Sequence, residues 1–245
     1  MKALIFAAGL GTRLRPITDR LPKALVEVGG MPMLERAIRN IKAAGIQDII
    51  VNIHHFPDQI RKFLDDNDFG CNITISDESD KLLDTGGAVA KVVDRFGSDE
   101  PILLYNADIA TDLDLSSMIR RYEELKPDAL LLVSDRPTSR YLLFDESGKM
   151  HGWLNEKTGE IKPEGLNPEG LIRKAFGGIH ILGSVGLKAS VLYRKAFNLD
   201  VFSITDQYIQ SCHLLDIHAY ESPTPYRWHD IGSPEKLKAA RAAFS

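Results

Sequence analysis

The chain has 245 residues, of which 44% are hydrophobic and 26% charged, so it can bury a core of ordinary size for a globular protein. Its net charge of −4 at pH 7 gives no electrostatic support for binding nucleic acids or membrane surfaces in general, so any anion site must be local. No apolar run approaches the roughly 20 residues of a membrane span, and the two cysteines lack metal-ligand or redox spacing, which favours a cytoplasmic protein.

Strand-like and helix-like patterns alternate through the first half of the chain. Apolar runs of strand length occur at KALIFAA, DIIVNIH, CNITISD, PILLYNAD and DALLLVS. Helical spacing of apolar residues occurs between them, at PMLERAIRNIKAAG, FPDQIRKFLDDN, GGAVAKVVDRF and LSSMIRRYEELK. This alternation predicts an α/β fold with a mainly parallel sheet and helices on both faces.

The pattern changes in the second half, where a small β-rich insertion is predicted near 141–180. RYLLFDESGKMHGWL indicates two short strands around a polar turn, and FGGIHIL indicates a further strand. Helices are expected over 186–197 and in FSITDQYIQSCHLL, and late strands at DIHAYES and YRWHD. The last helix begins at Ser233 and Pro234, residues typical of the N-cap and the first helical position. The economical interpretation is one α/β domain over 1–245.

A glycine-rich loop follows the first predicted strand. Gly9 and Gly11 begin a G-x-G pattern, but Leu14 stands where a dinucleotide fingerprint has its third glycine, and the loop does not match the Walker pattern. Glycines after a strand let backbone N–H groups approach phosphate oxygens. Arg13 and Lys23 add more positive charge than a diphosphate diester usually recruits. The loop therefore suits a triphosphate, or a reaction in which negative charge builds up on phosphate.

Two carboxylates end strands far apart in the chain. Asp108 closes PILLYNAD and Asp230 closes YRWHD. Ligands of open α/β sheets gather at the carboxyl ends of strands, so the two side chains can converge. A carboxylate pair together with substrate phosphates is a common way to hold Mg²⁺, whereas the histidine spacing predicts no zinc site. The alternative is that each aspartate is an ordinary turn or cap residue.

The loop AAGLGTRLRPITDRLPKAL (Ala7 to Leu25) resembles the signature of the sugar-1-phosphate nucleotidylyltransferases, A-G-x-G-T-R-L-x-P-x-T followed by P-K-x-L. DTGGAVAKV, YNAD, FGGIHIL and YRWHDIGSPEKL continue the resemblance in family order over almost the whole chain. The short length and DTGG look most similar to N-acetylmuramate-1-phosphate uridylyltransferases. The resemblance implies a Rossmann-like nucleotide-diphospho-sugar transferase (GT-A-like) fold. It also implies a nucleotide-binding part at about 1–135 and 201–245 and a sugar-binding part at about 136–200.

The resemblance implies residue roles on the nucleotide side. It implies that Arg13 and Lys23 are catalytic and that Asp108 and Asp230 bind the metal. The residues implied to bind the nucleotide are Ala7, Ala8, Gly9, Gly11, Thr12, Glu78, Thr85, Gly86, Gly87 and Asn106. Glycines that open a helix offer backbone amides to a flat group, which agrees with a nucleobase pocket at DTGG, although a plain turn before a helix is the alternative. Ala107 replaces the glycine that usually precedes the first aspartate.

On the sugar side, NEKTG resembles the E-K-P segment of the family. Glu156 would bind sugar hydroxyls, Lys157 would bind the sugar's phosphate, and Gly178 would lie beside the sugar. Thr158 stands where the family pattern has proline.

The predicted activity is the joining of a nucleoside triphosphate to a sugar 1-phosphate with release of pyrophosphate, dependent on Mg²⁺. UTP with N-acetylmuramate 1-phosphate or a related hexose phosphate is expected. Mannose- or heptose-1-phosphate guanylyltransferase is the first alternative, and a phosphocholine-type cytidylyltransferase the next. A catalytically silent nucleotide-binding regulatory subunit is the alternative outside the enzymes. No nucleic acid or membrane partner is expected, and a homo-oligomer is compatible with the sequence.

Overall fold

The structure is a computed structural model that describes residues Met1–Ser245. It contains fourteen strands: β1 (Lys2–Phe6), β2 (Glu27–Val28), β3 (Met31–Pro32), β4 (Asp48–Ile53), β5 (Asn72–Asp77), β6 (Ile102–Asn106), β7 (Ile109–Thr111), β8 (Ala129–Ser134), β9 (Arg140–Phe144), β10 (Met150–Asn155), β11 (Glu160–Lys162), β12 (Ile172–Leu182), β13 (Ile217–Tyr220) and β14 (Trp228–Asp230). The seven α-helices are α1 (Met33–Ala43), α2 (Pro57–Asp65), α3 (Asp84–Phe96), α4 (Leu115–Leu125), α5 (Ser184–Ala196), α6 (Ile204–Ser211) and α7 (Pro234–Ala243). None of these helices combines the length and the apolar character that a membrane crossing needs.

The chain forms two compact units, and the first comprises Met1–Leu82, Leu103–Ser117 and Thr224–Ser245. Its sheet has the strand order β6-β1-β4-β5, in which β1 pairs with β4, and β4 with β5, in parallel. Consecutive residues of β1, such as Leu4 and Ile5, have no exposed surface. Because neighbouring strand residues point to opposite faces, both faces of this sheet are covered, as expected of a parallel sheet.

A second feature of this unit is the antiparallel ribbon of β7 and β14. Asp230 pairs with Ile109, and Trp228 with Thr111. The three-residue β7 was not predicted, because it is too short to show an alternating pattern.

One hydrophobic cluster joins the glycine-rich loop (7–25) to this ribbon and to α7. Leu14 from the loop is 1% exposed and packs in the same cluster as Ala110, Ile231 and Leu237. The remaining members are Val26, Val28, Met33 and Ala240, with Leu21 and Phe244 at the margin. A glycine at position 14 would have no side chain to place in this core. Leu14 therefore anchors the loop, which explains why the dinucleotide pattern is broken there.

The second unit comprises Leu83–Ile102 and Met118–Pro223. Its strands run in the order β11-β10-β9-β12-β8-β13 and pair antiparallel, except that β13 and β8 are parallel. The β-rich insertion predicted near 141–180 is β9 to β12. A register shift in β12 lies between Phe176 and His180, which is a bulge that bends the strand.

The predicted elements are present, with shifted ends in several places. The helix expected to open on two glycines begins earlier, at Asp84, so that DTGG is its first turn. The helix expected through FSITDQYIQSCHLL covers only Ile204–Ser211, and Ser203 caps its start by accepting the Thr205 N–H. The division into nucleotide-binding and sugar-binding parts concerns function and stays a prediction.

Candidate active site

The glycine-rich loop of the first unit is closely packed on itself. Gly11 has a φ of 64°, a left-handed conformation that favours glycine. A Cβ at this position would lie 2.8 Å from the Thr18 methyl group and 3.1 Å from Cβ of Lys23. The Thr18 hydroxyl donates to the Gly11 carbonyl at 2.8 Å. The turn at Gly11 therefore fixes where the chain reaches Lys23, while Gly9 faces open space.

Asn52, which the sequence analysis missed, holds the start of this loop. Its Oδ1 accepts the N–H groups of Ala7 and Ala8 at 2.7 and 3.2 Å, and its Nδ2 donates to Oε1 of Glu78 at 2.9 Å. Asn52 and Glu78 are both buried. A polar residue inside the apolar run DIIVNIH was the available signal. The amides of Ala7 and Ala8 are thus already used, so any nucleotide contact of these two residues must involve other atoms.

The β7–β14 ribbon brings the two predicted metal-binding aspartates together. The Ile231 N–H donates to the carbonyl of Asp108 at 3.0 Å, next to the pairing of Asp230 with Ile109. Asp108 and Asp230 are 122 residues apart in the sequence, and the ribbon makes them neighbours in the fold. Each is followed closely by a core residue, Ala110 after Asp108 and Ile231 after Asp230, which fixes the backbone below the carboxylates.

Each of the two carboxylates forms an ion pair with a lysine. Lys23 forms an ion pair with Oδ2 of Asp108. Oδ2 of Asp230 accepts from Nζ of Lys236 at 2.6 Å, and its Oδ1 accepts from the Gly232 N–H at 2.9 Å. Burial would raise the pKa of the Asp230 carboxyl, but these hydrogen bonds and the charges of Lys236 and Lys23 hold that pKa below its ordinary value. Asp230 is therefore ionised at neutral pH.

Arg13 reaches the same place from the loop. Its Nη2 lies 3.1 Å from the position that a Cβ on Gly232 would occupy, and Oδ1 of Asp230 lies 2.7 Å from that position. Gly232 thus leaves room for a guanidinium beside a carboxylate. The first unit thus brings together the four side chains predicted to be catalytic or to bind the metal, which are Arg13, Lys23, Asp108 and Asp230. Asn106, predicted to bind the nucleotide, is the last residue of β6, two residues before Asp108.

The donor set is suited to a hard divalent cation. It consists of two carboxylates, and no group of three or more His, Cys, Asp or Glu side chains that could hold a metal ion is present in residues 1–245. Mg²⁺ is usually bound by one or two carboxylates and completes its shell with water and substrate phosphates. The pair of Asp108 and Asp230 therefore fits Mg²⁺ that is shared with a phosphate ligand.

Gly232→Ala provides a test of this packing. The added methyl group must displace the Asp230 carboxylate or the Arg13 guanidinium, both of which are flexible side-chain ends, so we expect a folded protein with an impaired site. A displacement near 1 Å can cost about 10²-fold in rate. The check is to measure turnover together with thermal unfolding. Native turnover in Gly232→Ala would show that the closeness of these groups is unimportant.

The predicted nucleobase segment lies in the second unit and is packed against residues 200–204. The N–H groups of Gly86 and Gly87 point to the Phe202 carbonyl at 2.9 and 3.3 Å. A Cβ on Gly86 would lie 2.2 Å from the Phe202 ring. The Thr85 hydroxyl oxygen accepts the Ile204 N–H at 3.0 Å. Close helix packing thus accounts for both glycines, and their role in base binding stays a prediction that cannot use these amides.

The predicted sugar-side residues all belong to the second unit. Glu156 and Lys157 form the exposed tip between β10 and β11, where Glu156 forms an ion pair with Arg173 at 3.3 Å. Gly178 lies in the β12 bulge with a φ of 74°. Arg173 belongs to β12, the strand that also contains Gly178, so the Glu156 side chain reaches that strand. The roles of Glu156, Lys157 and Gly178 stay predictions.

Comparison with known proteins gives a family for the chain. The nucleotidyl transferase family model matches residues 2–152. A mannose-1-phosphate guanyltransferase of Gibberella zeae is 34% identical over 252 residues, covering 100% of this chain and 64% of the relative. An N-acetylmuramate alpha-1-phosphate uridylyltransferase of Neisseria meningitidis is 36% identical over 126 residues, covering 51% of this chain and 54% of the relative. The chain thus spans less than two thirds of the length of these relatives.

Solved structures show the same fold at low sequence identity. A UDP-glucose pyrophosphorylase complexed with UDP-glucose has a TM-score of 0.77 at 19% identity, covering 99% of this chain and 97% of its own. HddC from Yersinia pseudotuberculosis has a TM-score of 0.78 at 22% identity, covering 100% of this chain and 99% of its own. The predicted nucleotide-diphospho-sugar transferase fold is therefore confirmed. The chain belongs to the nucleotidyl transferase family.

Proposed function

We propose that this chain is a sugar-1-phosphate nucleotidylyltransferase. It would join a nucleoside triphosphate to a sugar 1-phosphate and release pyrophosphate. The observation that carries this proposal is the grouping of Arg13, Lys23, Asp108 and Asp230 around the β7–β14 ribbon, beside a glycine-rich loop. The names of the relatives, which are sugar-1-phosphate nucleotidyltransferases, support it.

The proposed reaction needs positioning and charge neutralisation more than proton transfer. An oxygen of the sugar phosphate attacks the α-phosphorus of the triphosphate, the new P–O bond forms, and the bond to the β-phosphate oxygen breaks. The leaving pyrophosphate takes the bonding electron pair. The nucleophile is already anionic near pH 7, so no general base is required. Fixed cationic groups placed where charge develops can supply a large part of such catalysis.

Arg13 and Lys23 would supply the protein's positive charge. Arg13 would stabilise the leaving pyrophosphate, because its guanidinium can donate two parallel hydrogen bonds to phosphate. Lys23 would draw electron density from the α-phosphate, because its ion pair with Asp108 holds it beside one of the two aspartates proposed to bind the metal. Asp108 and Asp230 would hold Mg²⁺, which when bound neutralises phosphate charge and orients the reacting groups.

Two pairs of substrates have support, and the support for each pair comes from a different comparison. The half-length match to the uridylyltransferase favours UTP with N-acetylmuramate 1-phosphate. The alignments over 96 to 100% of the chain are to mannose-1-phosphate guanylyltransferases, which favours GTP with mannose 1-phosphate. We retain the first as the expectation and the second as its direct competitor.

A pyrophosphate-release screen separates these substrates. The full chain is mixed with Mg²⁺, one of UTP, GTP, CTP or dTTP, and one of N-acetylmuramate, mannose or glucose 1-phosphate. We expect one triphosphate and one sugar phosphate to give the fastest release, with UTP and N-acetylmuramate 1-phosphate as that pair. Fastest release with GTP and mannose 1-phosphate would transfer the assignment to the guanylyltransferases.

A further inference from the structure

Lys236 is a charged residue at the candidate site that has no role in the sequence-based prediction. It lies in the first turn of α7, and its Nζ donates to Oδ2 of Asp230 at 2.6 Å. Its side chain is 53% exposed, whereas that of Asp230 is 19% exposed. The ammonium group therefore approaches the carboxylate from the solvent side.

The backbone that carries Lys236 is held in place. Pro234 starts the helix, Ser233 caps it by accepting the Lys236 N–H at 3.4 Å, and the next residue, Leu237, is buried in the hydrophobic cluster. The position of the Lys236 Cα is thus fixed, while four flexible methylene groups lead to Nζ. The side chain can move away from Asp230 without any change in the helix.

The two carboxylates and two lysines form a balanced set of charges. Asp108 is paired with Lys23, and Asp230 with Lys236. A divalent cation bound between the carboxylates would be close to the ammonium groups of Lys23 and Lys236. The cation and the ammonium groups would repel one another, because their charges have the same sign. The side chain of Lys23 is only 14% exposed and comes from the packed loop, so it has little room to retreat. Lys236 is the ammonium group that can move into solvent.

We infer that Lys236 is the resident counter-ion of Asp230, and that a divalent cation binds by displacing it. This inference rests on the metal site of the proposed function. Lys236 then sets how tightly the substrate-free protein holds a metal ion, because part of the binding free energy is used to break its ion pair. It is a positioning residue that keeps an ionised Asp230 in place until the cation arrives.

Metal binding by the full chain without substrates tests this directly, with Mn²⁺ as the probe and electron paramagnetic resonance of the unbound ion as the readout. We expect Lys236→Gln to bind Mn²⁺ about fivefold more tightly than the native chain, the factor that corresponds to loss of a partly exposed ion pair. Lys238→Gln is the matched control, since Lys238 is an exposed lysine of the same helix and its loss changes net charge equally. Circular dichroism confirms that both variants fold.

The relative Mn²⁺ affinities of the variants decide the matter. Tighter binding by Lys236→Gln alone supports the inference. Equal Mn²⁺ affinities of Lys236→Gln and Lys238→Gln, or weaker binding by Lys236→Gln, overturn it. Asp230→Asn separates the two levels: if this variant binds Mn²⁺ as the native chain does, the proposed metal site is wrong and the inference fails with it. If Asp230→Asn loses the ion while the two lysine variants agree, only the inference fails.

Discussion

Asp108→Asn is expected to lower turnover by about 10²–10³-fold, because it removes one of the two carboxylates proposed to hold the metal ion and leaves Lys23 without its ion-pair partner. The amide keeps the size of the side chain, so the fold should persist. Steady-state kcat with the best substrate pair and a thermal unfolding curve measure the two effects separately.

Asp66→Asn is the matched control for Asp108→Asn. Asp66 follows the last residue of α2 and makes an exposed ion pair with Lys62 of that helix. The loss of the Asp66 charge should therefore leave turnover unchanged. If Asp108→Asn turned over as fast as Asp66→Asn, Asp108 would have no part in the reaction.

Arg13→Ala is expected to give a loss of similar size, about 10²–10³-fold in turnover. The reason is different: the variant keeps both carboxylates but lacks the guanidinium that lies beside Asp230 at Gly232 and is proposed to stabilise the leaving pyrophosphate. The measurement is kcat and kcat/KM for the same substrate pair.

Arg15→Ala provides the comparison within the same loop. Arg15 is two residues away, its side chain is 66% exposed, and it pairs with Asp19 at 3.1 Å. It should therefore behave as a surface charge. Equal turnover of the Arg13 and Arg15 variants would contradict the role given to Arg13.

The sequence was sufficient for those parts of the fold that depend on local pattern. Buried strands such as β1 and β4 appear as apolar runs, and α1 and α7 carry helical spacing or capping residues. The convergence of Asp108 and Asp230 could also be predicted, since each of them ends a predicted strand. The ribbon that joins them could not be predicted, because a pairing of three residues on each side depends on distant chain segments.

Other site residues were missed because their roles exist only in the folded chain. Asn52 is one polar residue in an apolar strand, and nothing local shows that it binds the Ala7 and Ala8 amides. Lys236 looks like any surface lysine until α7 is placed beside Asp230. Gly86 shows the opposite case: the sequence indicated an open approach for a ligand, whereas the structure packs Phe202 against it.

Leu14 illustrates how a departure from a motif can be informative. In the sequence it is the residue that spoils a dinucleotide fingerprint. In the structure it is buried with Ile231 and Leu237, the residues that follow Asp230 and Lys236. The loop that carries Arg13 and the segment that carries Asp230 are therefore held by the same core, which fixes the charged groups relative to one another.

The most direct test of the proposed activity is pyrophosphate release by the full chain with Mg²⁺, measured with triphosphate alone, with sugar 1-phosphate alone, and with both. We predict that pyrophosphate is released only when both substrates are present. The amount of pyrophosphate released should equal the amount of nucleotide-sugar formed. Release from triphosphate alone at the same rate, or no release with any pair of substrates, would contradict the proposed transferase.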